Sequence, residues 1–193
     1  MTARIEPATT AIFGMDFQPG LLGFLADPAP LIDRVGSAID LVRSRGGSVG
    51  YVRVGFTEGD YAAFPEGSMM GNRVKGGRPN LDADAPSAGF HPSLDVRPRD
   101  LTVRKTRVGA FSTTDLHNTL VASGVQTVIL AGVHTSGVVL TTVREAHDLD
   151  YTVVVLADAC ADPEPEVHEF LMNRIFPKQA VVITTAELRD TLG

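Results

Sequence analysis

Cys160 is the only cysteine in the 193 residues, so neither an intrachain disulfide nor a thiolate metal cluster can be built. Basic residues are also scarce: 17 Lys and Arg against 23 Asp and Glu leave a formal net charge of −6. With no dense Lys/Arg stripe to offset that charge, nucleic acid is excluded as a partner. No apolar run approaches a membrane span, and the opening MTARIEPATT lacks the basic and apolar regions of a secretory signal. No membrane partner is therefore expected, and the cytoplasm is the default compartment. The five histidines (His91, His117, His134, His147 and His168) show no ligand spacing such as H-x-x-x-H, so no metal and no cofactor is expected. What remains is ordinary globular material, 44% hydrophobic and 21% charged, at a length that suits one domain over residues 1–193.

Short apolar runs alternate with helical periodicity. Strands are expected at residues 10–15, 48–54, 101–104, 125–131, 152–157 and 180–183. Helices are expected at residues 30–45, 115–123, 135–148 and 164–175, with a last one after Thr184-Thr185. Leu31, Val35, Ala38, Ile39 and Val42 recur at three and four residues, Gly46-Gly47 stops that helix, and Thr114 and Gly124 bracket the next. Strands joined by crossover helices predict an α/β fold: three αβα layers around a six-stranded, mainly parallel sheet. Residues 55–99 break the pattern. Rich in Gly, Pro, Asp and Ser, they predict a long loop pinned by apolar anchors (Phe56, Tyr61, Phe64, Met69, Met70 and Phe90) or serving as a substrate lid.

Three places carry chemical potential. Asp16 closes the first strand, where an acidic side chain points into the crevice above an open sheet; a turn or helix-cap aspartate is the plainer alternative. Lys105 follows the third strand. Alone it is a solvated charge, but beside Asp16 it would form an ion pair that sets where a proton resides. The third is the strand–turn–helix at Gly132, in GVHTSGVVLTTVREA, whose helix start offers unpaired N–H donors. Thr135 and Ser136 read there as helix caps, with nucleophile as the alternative. Cys160 reads as a small buried residue, and His147 and His168 as helix-surface residues.

These segments resemble the isochorismatase-like cysteine hydrolases. Asp16 and Gln18 match a D-x-Q motif. Lys105, Arg107, Ala110, Phe111, Thr114 and Leu116 match a K-x-R-x-x-A-F-x-x-T-x-L motif, and Gly132, Val133, Thr135, Val139, Thr142 and Ala146 match the turn. The motifs arrive in family order, and the DACAD segment around Cys160 is similar too. The resemblance implies a hydrolase of a small metabolite, with Asp16 as acid or base and Lys105 supporting it. Gln18, Arg107, Val133, His134 and Val138 would line the binding site. It also implies a cis Val133–His134 peptide bond and a homo-oligomer. Where the family places its nucleophilic cysteine, this chain has Val138, which cannot attack a carbonyl. The resemblance then points to the isochorismatases themselves, in which the Asp protonates a vinyl ether and water attacks the resulting cation. Arg104, Lys105 and Arg107 would suit an anionic substrate. A catalytically inactive binder is the alternative, and whether Val138 lines an open pocket or plugs it bears on that choice.

Overall fold

The computed structural model describes residues 4–78 and 80–193. The reading of the opening residues as free of a targeting segment falls partly on 1–3, outside the described residues. Six parallel strands form one sheet: β1 (Thr10–Met15), β2 (Ser48–Val54), β3 (Leu101–Lys105), β4 (Thr127–Val133), β5 (Thr152–Ala161) and β6 (Val181–Ile183). Their order across the sheet is β3-β2-β1-β4-β5-β6. The chain therefore winds outward from β1 one way and from β4 the other. The crevice above the adjoining C-terminal ends of β1 and β4 is the switch point where such sheets bind ligands.

Every residue of β1 is buried, as expected for a strand covered on both faces. Ala11, Phe13 and Met15 face a core shared with α5 (Leu116–Ala122) and α6 (Leu140–Asp148). Ile12 faces the other core, built on α2 (Ala29–Ser44) and α8 (Thr185–Thr191). Helix α2 buries Leu31, Val35, Ala38, Ile39 and Val42, the residues that carried its periodicity. The Thr114 hydroxyl accepts the Leu116 N–H at 3.2 Å, and Gly124 closes α5 with φ 69°. A capping box at Thr184 and Glu187 starts α8.

Residues 55–99 are more ordered than their composition suggests. Two short helices, α3 (Glu58–Ala62) and α4 (Met69–Gly76), start at Thr57 and Ser68 caps. Phe56, Tyr61, Phe64 and Val74 form a small core with Val54 at the end of β2. The reading of Met69 as an anchor needs correction: it is 88% exposed, because at the first position of α4 it points away from that cluster. No helix among the described residues is long and apolar enough to cross a membrane.

Candidate active site

Asp16 directly follows β1 and lies in the left-handed backbone region, φ 60°, a conformation that aspartate tolerates better than most residues. Its N–H donates to Val52 O at 2.8 Å, which tips the residue toward β2. Lys105 ends β3, two strands away and so about 10 Å across the sheet. Its long stem crosses the end of β2, and Nζ donates to Asp16 Oδ2 at 2.9 Å and to Arg107 O at 3.2 Å. Both residues are almost sealed, at 4% and 2% exposure. Burial pushes the Asp16 carboxyl up from its usual range, against the pull of the Lys105 charge and hydrogen bond. Asp16 Oδ1 is buried and receives no hydrogen bond from the described residues.

The turn after β4 completes the crevice. Met15 pairs with Gly132, and a Cβ on Gly132 would stand 2.9 Å from Met15 O, so glycine lets the two strand ends close up. The Val133–His134 bond is cis. A π-helical turn over Thr135–Val139 then leads into α6. Neither Thr135 nor Ser136 acts as the expected cap. The Thr135 hydroxyl lies 2.8 Å from His168 Nδ1, and the Ser136 N–H donates to Asp162 Oδ2 at 2.7 Å. The anion position at this helix start is thus filled by the protein's own carboxylate. His134 Nε2 is buried without a partner among the described residues, and the Phe24 ring meets the imidazole edge-on at 5.9 Å.

Several residues named from sequence occupy other places than a ligand surface. Gln18 is fully buried and spends its amide on the frame: Nε2 donates to Val54 O and Ala88 O at 2.8 and 2.9 Å, and Oε1 accepts the Val54 N–H at 2.7 Å. It ties β1 to β2 and to the long loop rather than reaching for a ligand. Val133 is buried, so only its backbone is available. Val138 is 2% exposed and packs into the α5–α6 core rather than lining an opening. The expected basic cluster is largely neutralised, because Arg104 pairs with Asp60 at 2.7 Å while Lys105 pairs with Asp16. Arg107 lies over the Phe64 ring at 4.4 Å and donates to Thr106 O.

The family model of the Isochorismatase domain matches residues 10–187. The chain belongs to the isochorismatase family. It is 31% identical to the isochorismatase family protein YwoC of Bacillus subtilis, over 98% of this chain and 97% of that protein. It is 28% identical to the ureidoacrylate amidohydrolase RutB of Caulobacter vibrioides, over 98% of this chain and 93% of that one. The solved isochorismatase family protein of Burkholderia thailandensis superposes with a TM-score of 0.84 at 26% identity, each chain covered to 98%.

Sequence reasoning missed two contributors to this isochorismatase-family site. His168, expected on a helix surface, is half-buried against Thr135, and burial lowers its pKa below the usual imidazole range. Asp162, just beyond β5, holds the turn's N–H. The signal for Asp162 was available, since it is an acid at a strand's C-terminal end, as Asp16 is. His168 gave none, because its partner lies on a different element. Cys160 is buried in the core, its Sγ 3.9 Å from Leu130 O, and burial pushes its thiol up to about 12. Among the described residues no group of three or more His, Cys, Asp or Glu could hold a metal ion.

Proposed function

We propose that this chain hydrolyses a small metabolite by acid–base chemistry at Asp16, with Lys105 governing the carboxyl's proton and no cysteine acting as nucleophile. The observation that carries this reading is the buried Asp16–Lys105 pair with Asp16 Oδ1 left free. A carboxyl whose pKa is raised by burial yet restrained by an adjacent ammonium can give up a proton and take one back. In the reaction that this arrangement suits, Asp16 protonates a vinyl ether, water adds to the resulting cation, and the hydrate collapses. A thiolate is not needed, and the only thiol in the chain is held protonated in the core. Val138, at the position matched to the family's nucleophile, supplies only bulk. Arg107 and the loop over residues 55–99 would select the substrate, and with Arg104 and the Ser136 N–H already engaged, Arg107 is what remains for an anionic group.

The test is turnover of a panel of small vinyl ethers and amides that includes isochorismate and ureidoacrylate. Hydrolysis is expected to survive Cys160→Ala and to vanish in Asp16→Asn. Activity that tracks the cysteine, or that ignores Asp16, rejects the mechanism. A catalytically inert binding relative is the second reading, favoured by the near-complete burial of Asp16, Lys105 and Val138. It predicts a member of the panel that binds without turnover and binds equally well to Asp16→Asn.

A further inference from the structure

Two buried polar atoms at this site have no partner among the described residues: Asp16 Oδ1 and His134 Nε2. They leave neighbouring strands at almost the same level. Met15 pairs with Gly132, so Asp16 follows β1 by one residue and His134 follows β4 by one. Paired strands lie about 4.8 Å apart, so the two residues emerge as neighbours at one end of the sheet. A charged imidazole at His134 would favour the ionised Asp16, as expected of near neighbours. The Phe24 ring meets the imidazole edge-on, and the Thr135 hydroxyl of the next residue lies 2.8 Å from His168 Nδ1.

We propose that Asp16 Oδ1 and His134 Nε2 share one water molecule, and that this is the water consumed in hydrolysis. The inference rests on the hydrolase reading above. A buried water needs two or more polar partners, and these two atoms supply an imidazole nitrogen and a carboxyl oxygen that becomes an acceptor once Asp16 has given up its proton. The step balances without further reagents. Asp16 gives its proton to the substrate carbon, leaving a carboxylate. The water oxygen then bonds to the cationic carbon, and the proton it loses passes to Asp16. The other hydrogen stays on the new hydroxyl, oriented by His134. His134 thereby touches the reacting water without exchanging a proton, and it acts by orientation.

A high-resolution crystal structure of the full chain, together with kinetics on whichever panel member turns over, tests this. An ordered water within hydrogen-bond distance of both atoms is expected in the wild type, lost in His134→Ala and kept in His134→Gln. His134→Ala should lower kcat about a hundredfold, the scale of a misplaced reactant, with KM changed by no more than about twofold. His134→Gln should recover most of the rate, which separates lost orientation from misfolding. A dry crevice, or a water on only one of the two atoms, overturns the proposal. Turnover that is indifferent to His134→Ala overturns this inference alone. A bridging water with no turnover anywhere in the panel overturns the hydrolase reading and the hydrolytic role with it.

Discussion

The two ends of the sheet each bury an ion pair, and the pairs are built differently. At the N-terminal end, Arg43 of α2 meets Asp100 at 2.8 Å, both side chains nearly sealed. Arg43 also binds Asp40 and Asp95 O, and Asp100 also accepts the Arg97 N–H, which leaves only Arg43 Nε without a partner. Beside this cluster lies a cavity of about 470 Å³, lined by residues that include Phe13, Leu101, Leu120 and Val125. At the C-terminal end, Asp16 and Lys105 pair at 2.9 Å, yet Asp16 Oδ1 and His134 Nε2 have no partner there among the described residues. The N-terminal end is the more nearly saturated one. Unsatisfied buried groups at the other end are what the proposed chemistry rests on, because such groups are costly to leave unpaired unless something else occupies them.

Splitting the upper pair should have the largest effect. Asp16→Asn keeps a residue that tolerates positive φ but leaves the Lys105 ammonium buried and unmatched, so about 3–5 kcal/mol of stability should be lost. Adding Lys105→Met should restore most of it, since replacing a whole buried pair is often close to neutral. Urea melts of the four-member cycle measure this, and a double variant as weak as Asp16→Asn would show that the two side chains are not coupled. At the other end, Arg43→Met strands Asp100, which still keeps the Arg97 N–H. A loss of about 2–3 kcal/mol is expected there, with turnover unchanged. If that variant loses activity in proportion, the contrast between the ends fails.

A smaller change follows from removing the Gln18 amide. Gln18→Ala leaves Val54 N and O unpaired, while Ala88 O keeps its bond from Arg53, so about 1–3 kcal/mol should go. An increase in KM without loss of stability would instead make Gln18 a ligand contact. The least effect concerns His168, whose pKa is lowered by burial. A group whose folded pKa lies below its unfolded value contributes stability that is present above about pH 6.5 and is lost as pH falls through the folded value. His168→Gln should therefore flatten the acid side of the stability profile, read from denaturant midpoints at pH 7.5 and 5.5. An unchanged slope would mean that the imidazole titrates alike in both states.

Thr10–Met15 and Ser48–Val54 stand where their apolar runs placed them, since a strand buried on both faces needs an unbroken run and the polar residues after it set its end. β4 and β5 extend further than expected, to Val133 and Ala161. Their last residues pair with each other beyond an irregularity between Leu130 and Gly132 that no local pattern announces. The two helices at residues 58–62 and 69–76 stand where a loop was expected, because each is too short for periodicity to register.

Local sequence by itself determined the layered α/β architecture and put Asp16, Lys105 and His134 at the carboxyl ends of strands, because side-chain period and turn chemistry are properties of neighbouring residues. Tertiary structure alone decided which of those groups are spent and which are free. Gln18 and Arg104 are consumed by backbone and by Asp60, the Ser136 N–H by Asp162, and Asp16 Oδ1 and His134 Nε2 by nothing among the described residues. The physical reason is that a hydrogen bond or ion pair depends on where two remote segments meet, and only packing around the sheet brings them together.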